Sequence, residues 1–352
     1  MIMTEILKVN PTAPEEEALN RGAAILRQGG LVAFPTETVY GLGASVYHQE
    51  SVKRIFIAKG RPGDNPLIVH LYQWEQIAEI AAEIPERAVL LARHFWPGPL
   101  TLILPKKDSL PSEVSAGLPT VAIRVPAHPV ALELLRRTQL PVAAPSANLS
   151  GRPSPTRGSH VVADLKGKIE LILDAGPTGM GLESTVLDLT SVRPRILRPG
   201  GVTLEMLEAV LGAGEVEAPQ FTKCDRPLAP GMKYRHYAPQ APLRLYTGDR
   251  DKINRYLLKI ILRETGAGKK IGLLAFEEDR KDFPDLPGLS FFSLGERANP
   301  AEAAERLFNL LRLCDEVGVA AIYAVAPPRV GVGEAVFNRL WKASGGNVEE
   351  IK

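Results

Sequence analysis

Phe34-Pro35-Thr36-Glu37-Thr38-Val39-Tyr40-Gly41-Leu42-Gly43, followed by Lys59-Gly60-Arg61-Pro62 and Asn65-Pro66-Leu67, is the stretch that orders the rest of the chain. Residues 31–34 are apolar and read as a buried strand that breaks at a proline into hydroxyls and a glycine pair. Residues 49–59 carry Val52, Ile55 and Phe56 at helical spacing, with Gly60 as the stop, so Lys59 arrives at the helix C-terminus. A Lys and an Arg beside hydroxyls and backbone amides suit a phosphate-bearing substrate. Either cation alone is also what a helix dipole favours at its C-terminus. The turn sits at a strand mouth, before residues 67–71, and that position favours the ligand role.

Working outward, residues 14–27 read as a helix that Thr12 caps, with Glu15 to Glu17 in its first turn and Gly29-Gly30 at its end. Strands are expected over residues 101–104, 120–125, 170–173, 185–189 and 195–197, and helices over 129–137 and 204–211. Alternation in residues 120–125 puts Val121, Ile123 and Val125 on one face and Arg124 on the other, toward solvent or toward a cleft. Residues 143–151 are small-residue rich and include Ser146 and Asn148, which favours a ligand contact over an ordinary Ser/Asn turn. A loop with Gly176, Gly179 and Gly181 leads into Ser184-Thr185, whose hydroxyls suit a phosphate or a carboxylate, and Arg198 ends a later strand. These elements make a mixed α/β domain over residues 1–211.

Past residue 211 the composition changes. Residues 219–242 hold five prolines and four basic residues (Lys223, Arg226, Lys233, Arg235) against the single acid Asp225. Residues 212–242 therefore read as a Pro-rich basic linker. Its run Lys233-Tyr234-Arg235-His236-Tyr237 is dense in bases and aromatics, as a ligand-touching segment is. Residues 243–352 alternate cleanly: strands over 243–246, 271–276 and 319–325, helices over 252–264, 301–314 and 335–343. That order predicts a small parallel sheet in a second, Rossmann-like α/β domain.

The bulk properties narrow the classes. A length of 352 residues suffices for two domains with their own cores, and 45% hydrophobic with 23% charged residues is ordinary for a globular protein. Lys plus Arg number 42 and Asp plus Glu 40, so the net charge of +2 gives no bulk attraction to nucleic acid or membrane. Cys224 and Cys314 stand far apart, which argues against a disulfide scaffold or a zinc cluster. The N-terminus is unlike a signal peptide and no apolar run reaches the roughly 20 residues of a membrane helix. The expected location is the cytoplasm. Gly266-Ala267-Gly268-Lys269-Lys270 runs into isoleucine and fails the P-loop pattern, and the six histidines lack metal-ligand spacing. His70 lies in an apolar strand, as a core histidine or as a cleft residue. What remains is a site of cations, hydroxyls and amides, fitted to catalysis by positioning and charge neutralisation at phosphorus.

Six runs in register, at residues 34–43, 59–67, 121–126, 144–151, 183–188 and 196–200, resemble the YrdC/Sua5 family of threonylcarbamoyl-AMP synthases. Residues 230–239 and 333–342 resemble its longer Sua5 form. The resemblance implies a twisted mixed-sheet YrdC-like domain with a concave cleft, plus a smaller three-layer C-terminal domain. It implies the reaction of L-threonine, bicarbonate and ATP to threonylcarbamoyl-AMP, pyrophosphate and water, the first step of threonylcarbamoyladenosine formation on tRNA. It further implies that Lys59, Arg61, Asn65, Ser146, Asn148, Arg198 and Tyr237 bind ATP, Tyr237 reaching over the nucleotide from the linker. Thr36, His70, Arg124, Ala144 and Ser184 would bind threonine, Arg124 pairing with its carboxylate, and Lys59, Arg61 and Arg124 would be the catalytic cations. Mg²⁺ would accompany the triphosphate without a dedicated protein site. A tRNA-modifying transferase would receive the intermediate, with at most weak tRNA contact here and no membrane. The alternative reading is an RNA-binding module of the YrdC fold without ATP chemistry. Carbamoyl transfer of the hydrogenase-maturation kind is disfavoured by the two lone cysteines.

Overall fold

The computed structural model describes residues 2–220 and 236–352, which contacts divide into two compact units. The first holds residues 2–150 and 154–220, the second residues 151–153 and 236–352.

In the first unit β1 (Glu5–Lys8), β2 (Val32–Pro35), β3 (Tyr40–Ser45), β4 (Ile68–His70), β5 (Leu100–Pro105), β6 (Thr120–Arg124), β7 (Val142–Ala143), β8 (Leu171–Asp174), β9 (Thr185–Asp188) and β10 (Arg195–Arg198) form one mixed sheet. Its order is β1-β8-β2-β3-β7-β4-β6-β5-β9-β10. Strand alternation sorts the side chains onto its two faces. Val69, Leu102, Leu104, Val121 and Ile123 point to one face, into a core with Val52, Ile55 and Ala58 of the helix Gln49–Lys59. On the opposite face, Val32, Phe34, Val142, Leu171 and Leu173 pack against the helices Glu16–Arg27 and Pro129–Thr138 through Leu19, Leu26, Val130 and Leu134. Further along this second face the cluster is Ile68, Ile103, Ala122 and Val186, strand residues alone.

Two local expectations need correction. Thr12 caps no helix; its amide donates to Asn10 Oδ1 at 2.9 Å, the Asn10 carboxamide closes a turn, and the helix starts at Glu16 without a side-chain cap. Thr185 is no ligand group either, because its hydroxyl donates to the Val202 carbonyl (2.5 Å) and accepts from the Val202 amide (3.1 Å). Gly60 does end the helix Gln49–Lys59, in a left-handed conformation (φ 58°) that lets the Arg61 amide reach back to Phe56 O at 2.9 Å.

The second unit is an all-parallel sheet of β11 (Leu243–Gly248), β12 (Ile271–Ala275), β13 (Leu289–Ser293), β14 (Ala321–Val325) and β15 (Val348–Ile351), ordered β13-β12-β14-β11-β15. The helix Arg250–Gly266 covers one face with Ile253, Leu257 and Ile261 against Tyr246, Leu273, Tyr323 and Val325. Leu245, Leu274, Ile322 and Ala324 alternate onto the other face and are buried there. The helices Pro300–Val317 and Val332–Ala343 pack on each other, and Val332–Ala343 also packs on β11. β13 and β15, which are not among the expected strands, are edge strands without strong periodicity. Residues 221–235, the centre of the expected linker, lie outside the described residues. Residues 236–242 belong to the packing of the second unit: Tyr237 is buried with its ring 5.1 Å from that of Phe308, and Ile322 N donates to Pro242 O. Among the described residues no helix is long and apolar enough to cross a membrane.

Candidate active site

Arg124 ends β6 on the second face of the sheet, 3% exposed, directly opposite His70 in the parallel β4–β6 ladder. Its guanidinium meets Gly98 and Thr38 by hydrogen bonds and Glu37 as an ion pair. Nε donates to Gly98 O at 3.1 Å, Nη1 to Thr38 Oγ1 at 3.0 Å, and Nη2 stands 2.6 Å from Glu37 Oε1. Thr38 in turn shares a 2.7 Å hydrogen bond with Thr36, whose hydroxyl also meets Val39 O. The turn after β2 is thus folded onto Arg124 by its own hydroxyls. Strand alternation turns Arg124 toward solvent or a cleft; it is buried and paired, as an arginine taken out of water must be.

His70 is also buried, its Nδ1 3.2 Å from Ile68 O and its ring 6.4 Å edge-on from Phe34. Burial first, and the Arg124 charge second, push its pKa down to about 3. The imidazole is neutral at physiological pH, suited to hydrogen bonding rather than to charge neutralisation.

From Arg124 the polar row continues across neighbouring strands. Thr101 on β5 and Ser184 before β9 share a hydroxyl hydrogen bond of 2.8 Å, and Arg198 at the end of β10 donates to Ser184 O (3.1 Å) and Ser184 Oγ (3.2 Å). Gly200 makes this possible. A Cβ there would lie 2.3 Å from Thr185 N and 2.5 Å from Ser184 C, so only glycine lets the chain after β10 lie on the Ser184 backbone.

A second group gathers around the helix end. Lys59, 2% exposed, donates from Nζ to Ser146 O and Asn148 O, both at 2.5 Å, while Asn148 Oδ1 lies 3.4 Å away and accepts from Ser146 Oγ at 2.6 Å. Ser150 N closes the clamp on Lys59 O at 2.8 Å. Two small residues bring the 145–147 loop to this place: Leu42 N donates to Pro145 O and Ala147 N to Tyr40 O across Gly41, which stands against Ala144. Ala144 N donates to Ile68 O, next to His70. Arg61 wraps its own turn, donating to Asn65 O (3.3 Å) and Pro66 O (3.0 Å) just before β4.

In the first unit Thr36 follows β2, Lys59 ends the helix Gln49–Lys59, Arg61 and Asn65 precede β4, His70 and Arg124 end β4 and β6, Ala144, Ser146 and Asn148 follow β7, Ser184 precedes β9 and Arg198 ends β10. Tyr237 belongs to the second unit, where its ring is buried against Phe308 and lies 5.6 Å under the Arg339 guanidinium. Glu37, Thr38, Gly98, Thr101 and Gly200 are not among the site residues expected from the sequence. Strand alternation carried a signal for Thr101, a polar residue on the face of Ile103 between two core leucines; the Glu37–Arg124 pairing had none.

A family described as Telomere recombination, covering Sua5, YciO and YrdC, matches residues 24–200, and the threonylcarbamoyl-AMP synthase C-terminal domain matches residues 202–345. The threonylcarbamoyl-AMP synthase of Pyrococcus abyssi is 47% identical over 99% of this chain and 100% of its own length. That of Bacillus subtilis is 48% identical over 93% of each. The structure of P. abyssi Sua5 complexed with L-threonine superposes with a TM-score of 0.91 at 46% identity, covering 99% of this chain and 100% of that one. Escherichia coli YciO shares the fold alone, at a TM-score of 0.52 and 24% identity over 56% of this chain and 96% of its own. The chain belongs to the Sua5 family of threonylcarbamoyl-AMP synthases.

Proposed function

We propose that the chain converts L-threonine, bicarbonate and ATP into threonylcarbamoyl-AMP, pyrophosphate and water, supplying the intermediate from which tRNA threonylcarbamoyladenosine is made. The observation that supports it most is the row of buried cations and hydroxyls, Arg124, Thr101, Ser184 and Arg198, on a sheet face floored by Ile68, Ile103, Ala122 and Val186. Synthase relatives matched along their full length favour this reading over a non-enzymatic RNA-binding module.

The chemistry needs no protein nucleophile. The threonine amine and bicarbonate condense to an N-carboxy-threonine with loss of water. Its new carboxylate oxygen attacks the α-phosphorus of ATP, the bond to the bridging oxygen breaks, and pyrophosphate leaves with its electron pair. The protein's task is to hold three anions together and to offset the charge that gathers on the leaving phosphates. Lys59, Arg61, Asn65, Ser146, Asn148 and Arg198 serve the nucleotide. Lys59 does so through the 146–148 loop that it holds, by positioning backbone and hydroxyl groups. Thr36, His70, Arg124, Ala144 and Ser184 serve threonine, with neutral His70 as a hydrogen-bonding wall and Arg124 facing the amino acid's carboxylate. The linker's proposed task is to keep water from an anhydride that hydrolyses easily. Mg²⁺ would accompany the triphosphate and offset part of its charge. A separate transferase then takes the intermediate to tRNA, with weak tRNA contact at most by this chain. A reduced cytoplasmic setting suits Cys314, whose thiol burial pushes up to about 12.

The test is pyrophosphate release from ATP by the purified chain with threonine and bicarbonate omitted in turn. Release is expected only with both present. Release that ignores threonine would overturn the pocket assignment.

A further inference from the structure

The second unit holds a cavity that this reaction does not use, and we propose that it binds a small phosphate-bearing anion, a nucleoside monophosphate or a simpler phosphate. The proposal stands on the second unit alone and is independent of the reaction assigned to the first.

The position follows from topology. The chain leaving β11 enters the helix Arg250–Gly266 on one face of the sheet, whereas the chain leaving β14 enters the helix Val332–Ala343 on the other. β11 and β14 are adjacent, so the chain parts to opposite faces at their C-terminal ends. Ligand crevices form in parallel sheets at such a parting. A cavity of about 290 Å³ lies there. Arg250 comes from the first connection, Arg329 from the second and Arg297 from the loop after β13; no acidic residue is in the lining.

The arginines are held in place from behind. Asp279, fully buried, pairs with Arg250 Nε through Oδ1 (2.6 Å) and with Arg297 Nη2 through Oδ2 (2.8 Å). One carboxylate thus holds two guanidinium groups, and the next, Asp282, is 3.9 Å from Arg250. Arg297 is stacked 4.4 Å over Phe276, and its Nε is buried without a hydrogen-bond acceptor. Arg329 lies 4.4 Å over the Phe337 ring and makes a two-point pair with Glu334. Planar cations fixed by stacking and by carboxylates outside the lining are pre-organised for phosphate oxygens. The Asp249 side chain caps Lys252 N, so the guanidinium groups rather than that helix's first amides supply the donors. Val325, Ile253 and Phe337 give the cavity an apolar wall that suits a sugar or a base. Gly248 keeps the mouth narrow in chain and bare of side chain: a Cβ there would lie 2.2 Å from Ile351 O.

The full chain is titrated separately with AMP and with pyrophosphate, by calorimetry and by hydrogen exchange, in the wild type, Lys59→Ala, Arg329→Ala and Arg329→Lys. The expected result is protection of residues 246–254 and 325–333 by at least one ligand, retained in Lys59→Ala. Affinity falls about tenfold in Arg329→Ala and less in Arg329→Lys. AMP binding more tightly than pyrophosphate supports an organic phosphate, and the reverse order supports an inorganic one. Arg329 sits at the rim, 51% exposed, so its replacement leaves the buried Asp279 pairs intact. Absence of protection at those segments with both ligands, or loss of all binding in Lys59→Ala, overturns the proposal.

Discussion

Glu37 Oε1 stands 2.6 Å from Arg124 Nη2, so the arginine proposed to receive the threonine carboxylate already holds a carboxylate of the protein's own. Arg124 is 3% exposed, and a cation so buried without a partner is costly. Glu37 offsets the buried Arg124 charge, and on the proposed assignment it would compete with the threonine carboxylate for the same guanidinium.

Glu37→Gln removes that competitor. The threonine KM is expected to fall about three- to tenfold, on the order of 1 kcal/mol, with kcat little changed. The ligand-free melting temperature falls, and threonine raises it by more than in the wild type. A raised KM would mean that Glu37 orients Arg124 instead of competing.

Lys59→Ala leaves Ser146 O and Asn148 O without the ammonium that draws them together. Loss of one pre-organised charge contact typically costs about 10²–10³ in rate. A drop of that order in kcat/KM for ATP is expected, with threonine affinity changed much less. Equal loss for both substrates, measured by thermal shift and steady-state kinetics, would show collapse of the site instead.

His70 gives a pH signature. Its folded pKa, about 3, lies below the ordinary 6.5, so the unfolded chain binds the proton more readily between those values. Stability from this residue is complete above pH 6.5 and falls as pH drops toward 3, at about 1.4 kcal/mol per pH unit. His70→Gln is expected to flatten that part of the stability profile in denaturant titrations at pH 4 to 7. The wild-type rate should show no inflection from His70 between pH 5 and 9.

Gly200→Ala sets a methyl group against backbone atoms of Ser184 and Thr185, which cannot rotate away. A loss of about 1–3 kcal/mol or more is expected by denaturant unfolding. Activity should fall further than stability explains, since Ser184 and Arg198 are displaced together. Wild-type activity in a stable Gly200→Ala chain would count against the Ser184–Arg198 contact.

Short-range chemistry was legible in the residues themselves. A 3.6-residue spacing with a glycine stop specified the helix Gln49–Lys59 and the delivery of Lys59. Alternation specified that Arg124 opposes Val121 and Ile123, and the strand-helix alternation of the C-terminal part specified a parallel sheet. These signals are local, because helical hydrogen bonds and strand pleats repeat within a few residues. Tertiary structure decided what each polar group meets. The Glu37–Arg124 pair, the Thr101–Ser184–Arg198 row and the hold of Lys59 on residues 146 and 148 join positions 14 to 89 apart in sequence, through strand order that no local period encodes. The same holds for Thr185, a hydroxyl like Ser184 in sequence but turned to the Val202 backbone, because adjacent residues of a strand face opposite sides of the sheet.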